Sequence, residues 1–176
     1  MKTLVVYKSK TGFTKKYAEW IAQELSADIY NHAEVNKKIL GKYDMIIYGG
    51  SLHAVGIEGM KLITHNLDIL KGKKVIVFAV GASPYREEIV NEVRDKNFTK
   101  EEKKYIHFYY LRGGFNYTRL PIFDKILMKL LYLKLKRKKV LTPDEKGMLN
   151  AYKKPADFTR KDNIKEIISY VRSLYN

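Results

Sequence analysis

Cysteine is absent from the 176-residue chain. The chain therefore has no disulfide, thiol redox pair or thiolate metal site, and any electron transfer must use a bound cofactor. Histidine is scarce, and its four positions include no helical i,i+4 pair, so no metal site is predicted. These histidines are His32, His53, His65 and His107.

Acidic residues are also few for a chain of this size. Lys and Arg number 34 against 19 Asp and Glu, which gives a net charge of +15. Such a field attracts polyanions, and nucleic acid, anionic lipid and acidic proteins are all compatible with it. A lysine-rich surface that is simply solvated is an equally open interpretation.

Size and composition favour one soluble domain over residues 1–176. The hydrophobic fraction is 45% and the charged fraction 30%, and roughly 70% of the unfolded surface is expected to be buried at this length. The apolar run after Met1 is too short for a signal peptide. The expected location is therefore the cytoplasm.

Short apolar runs alternate with segments of helical spacing along the chain. Strands are predicted at residues 4–7, 27–30, 45–48, 73–80 and 106–111. Helices are predicted at residues 14–25, 57–70, 84–93 and 162–174. This alternation predicts an α/β fold with a doubly wound, five-stranded parallel sheet and helices on both faces. Ligands of such sheets bind beyond the carboxyl ends of the strands.

The loop after the first strand has the chemistry of an anion site. It consists of Ser9, Lys10, Thr11, Gly12, Phe13 and Thr14. Hydroxyl groups, a flexible glycine and the free amides of a helix N-terminus favour a phosphate. The spacings typical of dinucleotide and triphosphate loops are missing, so a monophosphate fits better. The alternative is that Thr14 is only a helix cap and Gly12 only a turn residue.

The pattern Ser/Thr-x-Thr-Gly-x-Thr after an N-terminal strand resembles the phosphate loop of flavodoxins. That resemblance implies FMN, with its phosphate on this loop and its isoalloxazine ring between the loops that follow the third and fourth strands. The ring-side residues that it implies are Gly50, Ser51, Leu52, His53, Gly81, Ala82 and Ser83. His53 either contacts the ring, where it would govern a proton, or is an exposed loop histidine.

The segment 121–139 combines a broad apolar face with many lysines. It is shorter than the about 20 apolar residues that a membrane span needs. Two interpretations are open and compatible: a helix on an anionic membrane surface, or a helix that covers the sheet.

The stretches 113–120 and 123–130 resemble the menaquinone-dependent protoporphyrinogen dehydrogenase branch of the flavodoxin-like proteins. The likeness covers nearly the whole chain and implies a membrane-associated FMN enzyme that passes substrate electrons to a quinone. The loops after the third and fourth strands differ from that branch, which leaves a porphyrinogen substrate open. Electron-shuttling flavodoxins are typically acidic, and this chain departs from them in charge.

These features predict an FMN-dependent oxidoreductase in which the flavin does the chemistry and no side chain is a nucleophile. The substrate would approach the flavin edge, where Arg119 meets a substrate carboxylate. One alternative is an electron carrier that docks on acidic redox partners. Another is a flavin-free module that binds lipid; the absence of paired-aromatic RNA motifs argues against nucleic acid as its partner. If segment 121–139 lies on a membrane, the cytoplasmic protein would be peripheral to the inner face of the cell membrane.

Overall fold

The computed structural model describes residues 1–175, apart from the side chains at positions 144 and 153, so the last residue of the predicted domain lies outside the described residues. The strands are β1 (Thr3–Lys8), β2 (Asp28–Asn31), β3 (Met45–His53), β4 (Gly56–Ile57), β5 (Lys74–Gly81), β6 (Ile106–Arg112), β7 (Gly114–Phe115) and β8 (Ala156–Asp157). The helices are α1 (Phe13–Leu25), α2 (Lys37–Leu40), α3 (Lys61–Thr64), α4 (Leu67–Leu70), α5 (Glu87–Asn97), α6 (Ile122–Lys136), α7 (Pro143–Lys153) and α8 (Lys165–Ser173). Short 3-10 helices lie at His32–Glu34, Glu102–Lys104, Tyr117–Arg119 and Lys161–Ile164.

Five strands form a parallel sheet in the order β2-β1-β3-β5-β6, and β4 pairs with β3 in the antiparallel direction. The order reverses between β1 and β3, because β2 lies on one side of β1 and the later strands lie on the other. Ligands of open α/β sheets bind at such a switch point. The predicted α/β class and its five-stranded parallel sheet are confirmed.

Both faces of the sheet carry a packed apolar layer. On one face Val5 packs in a layer with Tyr17 of α1 and Ile167 of α8. On the other face Leu4 shares a layer with Val93 of α5 and with residues of the short helices. Because side chains alternate across a strand, consecutive apolar residues of β1 supply both layers. Helices therefore flank the sheet on both sides, as predicted.

The helix predicted over residues 57–70 is wrong. Ile57 belongs to β4, where it pairs with Leu52 of β3. Gly59 then adopts φ 74°, which is outside the helical region, and Asn66 separates α3 from α4. Two short helices replace the predicted long one, because the first residues of the segment are recruited into the sheet.

Other predicted boundaries shift by a few residues. Pro84 lies in the loop before α5 rather than in its first turn, since α5 begins at Glu87. The predicted last helix starts as the 3-10 turn Lys161–Ile164 and continues as α8. Strand β3 extends to His53, five residues beyond its predicted end, whereas the other four parallel strands end within one residue of the predicted positions.

Helix α6 occupies most of the predicted segment 121–139 but does not cover the sheet. None of its described residues belongs to either apolar layer, and only Leu135 within it is buried. The interpretation as a sheet-covering helix is therefore wrong. Helix α7 and the antiparallel pair of β7 and β8 were not predicted. In the described part of the chain, no helix has the length and apolar character needed to cross a bilayer.

Candidate functional site

The carboxyl ends of β1, β3 and β5 open into a cavity of about 690 Å³. Most of the predicted cofactor residues border it: Lys10, Thr11, Phe13, Thr14, Ser51, Leu52, His53, Gly81, Ala82 and Ser83. The other three, Ser9, Gly12 and Gly50, neighbour these residues in the chain but are not part of the cavity wall. The fold thus brings three loops, distant in sequence, to one cleft.

The loop after β1 presents free backbone amides to this cleft. Gly12 is the N-cap of α1 and adopts φ 97°, which suits glycine. Its amide donates to Ser9 Oγ at 3.1 Å. Because Gly12 has no side chain to cap the helix, the first amides of α1 are left for an anion. Thr14 lies in the first turn of α1, so the interpretation of Thr14 as the cap is wrong.

A hydroxyl pair joins the phosphate loop to β3. Thr14 is 1% exposed, and its Oγ1 lies 2.9 Å from Ser51 Oγ. Ser51 donates to the carbonyl of Lys8 at 3.4 Å and accepts from the amide of Lys10 at 3.4 Å. Either hydroxyl can act as the donor within the pair. The hydroxyl pair therefore fixes the end of β3 beside the phosphate loop.

The Lys10 ammonium is held by two carboxylates. Its Nζ lies 3.0 Å from Glu58 Oε1 and 3.0 Å from Asp124 Oδ2. Burial lowers the pKa of Lys10, but hydrogen bonds and charge from Asp124 and Glu58 outweigh that effect and raise the pKa. Lys10 therefore ties the phosphate loop to the first turn of α6 and to the segment after β4.

The predicted loop after the third strand is in part a β-hairpin. Strand β3 continues to His53, which pairs with Gly56 of β4. Ala54 in the turn between them has φ 53°, a left-handed conformation that is uncommon for a residue other than glycine. Both His53 and Ala54 are exposed and border the cavity. The hairpin therefore presents its turn to the cleft.

Asn97, the last residue of α5, holds this hairpin in place. Its Oδ1 accepts from the amide of Ile57 at 2.8 Å. Its Nδ2 donates to the carbonyl of Val55 at 2.7 Å and to that of Val93 at 2.7 Å. One side-chain amide thus fixes the turn and β4 to α5.

The loop after β5 is positioned by Tyr110 of β6. Its hydroxyl donates to the carbonyl of Ser83 at 2.8 Å. Burial raises the pKa of Tyr110 to about 12, so the hydroxyl keeps its proton at neutral pH. A Cβ on Gly81 would lie 2.5 Å from the Tyr110 oxygen, so glycine is required where strand and loop meet.

Apolar side chains of α6 and α7 form part of the cavity wall. Leu127, Met128 and Leu131 of α6 and Met148 of α7 form this part of the wall, which we call the roof. The first turn of α6 is attached to the phosphate loop through the Lys10–Asp124 ion pair. The cavity therefore has polar groups at its phosphate-loop end and apolar side chains along its roof.

Tyrosines connect the two helices of the roof. Tyr152 of α7 donates its hydroxyl to the carbonyl of Met128. Its ring centroid lies 4.9 Å from that of Tyr132, 5.4 Å from Tyr117 and 5.3 Å from Phe115. Aromatic contacts of this kind stabilise packing beyond the area that they bury. The roof is therefore a packed unit that reaches from α6 and α7 to β7.

Arg119 lies beside the phosphate loop rather than in the cavity wall. Its Nη1 is 3.5 Å from the position that a Cβ on Gly12 would occupy. The assignment of Arg119 to a substrate carboxylate is a prediction that this position does not test.

Several residues of the cleft were not predicted from the sequence. Glu58, Asn97 and Tyr110 act through contacts with distant segments, and no local pattern marks them. The roof did have a signal, because the apolar residues of segment 121–139 were recognised. The sequence predicts that this apolar face lies on a membrane or on the sheet, whereas the structure places part of it at the cleft.

The model of the flavodoxin domain family matches residues 4–141. An uncharacterised protein of Methanocaldococcus jannaschii is 36% identical over 100 residues, which are 54% of this chain and 65% of that protein. A flavodoxin of Maridesulfovibrio salexigens is 36% identical over 99 residues, 48% of this chain and 66% of its own. The chain thus covers slightly less than two thirds of either relative. Protoporphyrinogen IX dehydrogenase [quinone] of Escherichia coli K12 is 24% identical over 182 residues, 94% of this chain and all of that enzyme.

Similar solved structures include flavodoxins. One from the domain Archaea has 18% identity and a TM-score of 0.42, and the match covers 64% of this chain and 85% of that one. The two-electron reduced flavodoxin of Megasphaera elsdenii has 19% identity and a TM-score of 0.47, with coverage of 61% and 82%.

FMN is the cofactor of flavodoxins, and the residues of the cleft fit it. The cavity of about 690 Å³ is within the roughly 300–1,000 Å³ typical of small-molecule sites. Free helix amides and hydroxyl groups at one end suit a phosphate, while the apolar walls suit a flat aromatic ring. Because the family model covers most of the chain, the protein belongs to the flavodoxin domain family, with FMN as its cofactor.

Proposed function

We propose that this protein is an FMN-dependent oxidoreductase that oxidises an organic substrate by two electrons and reduces a quinone to the quinol. FMN supplies the electron-accepting chemistry when bound, and the chain supplies binding, orientation and access. A porphyrinogen is the candidate substrate, because the E. coli relative that matches along its whole length is a protoporphyrinogen IX dehydrogenase. The phosphate loop, the hairpin after β3 and the loop after β5 are the cofactor-binding segments of this proposal.

The main support for this proposal is the apolar roof of the cavity. Leu127, Met128, Leu131 and Met148 place an apolar wall on the cavity that the cofactor loops border. An apolar wall favours a quinone ring over a charged reactant, because charged groups lose hydration there without gaining a partner. The wall is held by the Lys10–Asp124 ion pair and the tyrosines of α6 and α7. The roof therefore favours reactants that tolerate an apolar surface.

The experiment compares two adjacent leucines of α6. Leu131 borders the cavity, whereas Leu130 is 61% exposed and lies outside its wall. FMN-loaded protein, reduced with dithionite, is mixed anaerobically with a short-chain quinone, and flavin reoxidation is followed by stopped-flow absorbance. We expect Leu131→Asn to slow quinone reduction about fivefold, since a polar group desolvated without a partner costs about 1 kcal/mol or more. Leu130→Asn should react like the unaltered protein.

A second candidate function is that of an electron carrier. It is favoured by the match to the M. salexigens flavodoxin and by a net charge of +15, which would attract acidic redox partners. For a carrier, the two leucine variants would react with quinone at equal rates, and a potentiometric titration would show two well separated one-electron steps. The oxidoreductase proposal predicts unequal rates and a single two-electron step.

We further propose that the outer face of α6 contacts an anionic membrane surface. Large apolar side chains there face solvent: Ile122, Phe123, Ile126, Leu130 and Leu133. Exposed lysines accompany them at Lys129, Lys134, Lys136 and Lys139. A helix with this combination binds in the plane of a membrane interface. A bilayer is also where a long-chain quinone dissolves, so this contact would bring the cleft to its acceptor.

A further inference from the structure

We infer that the guanidinium of Arg119 binds the phosphate of FMN, as a cationic contact supplied from outside the phosphate loop. The inference rests on the proposed function in that FMN must occupy the cleft. Arg119 would then contact the cofactor rather than the substrate. Its guanidinium would add a positive charge to the phosphate site, where Lys10 of the loop is already paired with carboxylates.

Position is the first argument. Arg119 Nη1 lies 3.5 Å from where a Cβ on Gly12 would be, so the guanidinium lies beside the turn that begins α1. The same turn carries the free amides that suit a phosphate. An anion on these amides would therefore be within reach of the guanidinium.

The second argument is that Arg119 has no carboxylate partner in the part of the chain that the structure describes, in contrast to Lys10 of the loop and to Lys15 and Lys16 of α1. Lys10 is held by two carboxylates, Lys15 lies 3.6 Å from Glu19, and Lys16 lies 3.0 Å from Asp157. Within the described residues, no acidic side chain forms an ion pair with Arg119. Carboxylates of the protein thus neutralise Lys10, Lys15 and Lys16, whereas the guanidinium of Arg119 is available to a ligand.

Electrostatics gives the third argument. A helix N-terminus carries a partial positive charge, and no acidic residue lies in the first turn of α1. A guanidinium beside that end is repelled unless an anion lies between them. A phosphate dianion on the loop would attract both the helix N-terminus and the guanidinium. The planar guanidinium can also donate two parallel hydrogen bonds to phosphate oxygens.

The backbone holds Arg119 in this place. Asn116 Oδ1 accepts from the amide of Thr118 at 3.1 Å and from its hydroxyl at 2.7 Å, which caps the turn Tyr117–Arg119. On the other side the chain enters α6, whose Asp124 is bound to Lys10 of the phosphate loop. Both flanks of Arg119 are therefore fixed relative to the loop.

The test measures dissociation constants of FMN and of riboflavin, which lacks the phosphate, by flavin fluorescence quenching on apoprotein. We expect Arg119→Met to weaken FMN binding about fivefold at low salt, as removal of an exposed charged contact does. Arg119→Glu should weaken it further, and riboflavin affinity should stay unchanged in both variants. In about 1 M salt, where the screening length is about 3 Å, the difference between the variants and the unaltered protein should shrink.

Lys15→Met is the matched control, because it removes the same charge beside α1 from a residue that already has a carboxylate partner. FMN affinity that falls equally in Lys15→Met and Arg119→Met overturns the inference, since the effect is then only that of net charge. Equal losses for FMN and riboflavin in Arg119→Met also overturn it and leave the proposed function standing. Apoprotein that binds neither flavin overturns the proposed function together with this inference.

Discussion

At the scale of single residues, the geometry of the cleft depends on hydroxyl groups that donate to backbone carbonyls of its loops. Tyr110 is one of them: it lies under the loop after β5, and its proton is directed at the Ser83 carbonyl. Because burial raises the pKa of Tyr110 to about 12, this contact is lost only in strongly alkaline solution. The contact therefore makes a definite contribution to stability that changes with pH.

We predict that Tyr110→Phe lowers the free energy of unfolding by about 1 kcal/mol at pH 8, since the Ser83 carbonyl loses its donor. In the unfolded chain tyrosine ionises near pH 10, whereas folded Tyr110 keeps its proton to about pH 12. The stability due to the raised pKa is fully present below pH 10 and is lost as pH rises toward 12. The difference between the two proteins should therefore shrink over that range.

Urea unfolding at a series of pH values from 8 to 11.5 checks this prediction. Tyr105→Phe is the control, because Tyr105 is 59% exposed and its replacement should leave the unfolding free energy unchanged. A Tyr110→Phe difference that stays constant across the whole pH series would contradict the assigned role.

The residues of the phosphate loop were predictable from the sequence because their arrangement is local. Hydroxyls, a glycine and a helix start within six positions describe an anion site without any tertiary information. The partner of Lys10 was not predictable in this way, since Asp124 is 114 positions away. Arg119 is likewise remote in sequence, 107 positions from Gly12, so its place beside the loop was not predictable from any local pattern.

At the scale of elements, the hairpin of β3 and β4 depends on α5 through Asn97. The asparagine amide uses both of its functions: the oxygen accepts from Ile57, and the nitrogen donates to Val55 and Val93. Replacing Asn97 by aspartate keeps the acceptor oxygen and replaces the donor nitrogen by a second acceptor. This change therefore tests the donor role apart from the acceptor role.

We predict that Asn97→Asp destabilises the fold more than Asn97→Ala does at pH 7. The aspartate keeps an acceptor for Ile57 but directs negative charge at the carbonyls of Val55 and Val93, where the amide donated. Loss of the bonds in the alanine variant should cost about 2 kcal/mol, and the added repulsion should raise the cost to about 3 kcal/mol. Chemical denaturation measures both values.

Asn91→Asp makes the same chemical change on the same helix and is the control, with an expected effect near zero. An Asn97→Asp variant as stable as Asn97→Ala would show that the two carbonyls do not need the amide donor. FMN affinity should fall along with stability in the Asn97 variants, because the hairpin presents its turn to the cleft.

The elements themselves were predictable to different extents. The parallel strands were predicted well because strands buried on both faces are continuous apolar runs. The segment 57–70 was assigned wrongly because its helical spacing was overridden by the pairing of Ile57 with Leu52 and by the left-handed Gly59. The pair of β7 and β8 has two residues in each strand, and such short strands form only where tertiary contacts bring them together.

At the scale of the whole molecule, the net charge of +15 and the exposed face of α6 act together. A positive field draws the protein toward an anionic surface from any orientation, whereas an apolar helix selects one. If α6 is the contact, lysines on α6 should matter more for binding than the same number of lysines elsewhere.

We predict that Lys134→Glu/Lys136→Glu reduces cosedimentation with phosphatidylglycerol vesicles at least tenfold, since each basic residue near such a surface contributes about 1 kcal/mol. Lys61→Glu/Lys71→Glu changes the net charge equally at exposed positions on α3 and after α4, and it should reduce binding far less.

Phe123→Asn, which removes an apolar side chain that is 83% exposed, should weaken vesicle binding at high salt as well, where charge is screened. Equal losses in the two double variants would assign binding to net charge alone, and the face of α6 would then have no special part. A larger loss of vesicle binding in Lys134→Glu/Lys136→Glu, together with unchanged quinone reduction in Phe123→Asn, would show that α6 has two independent roles. Its outer face would bind the membrane, and its roof residues would border the cleft.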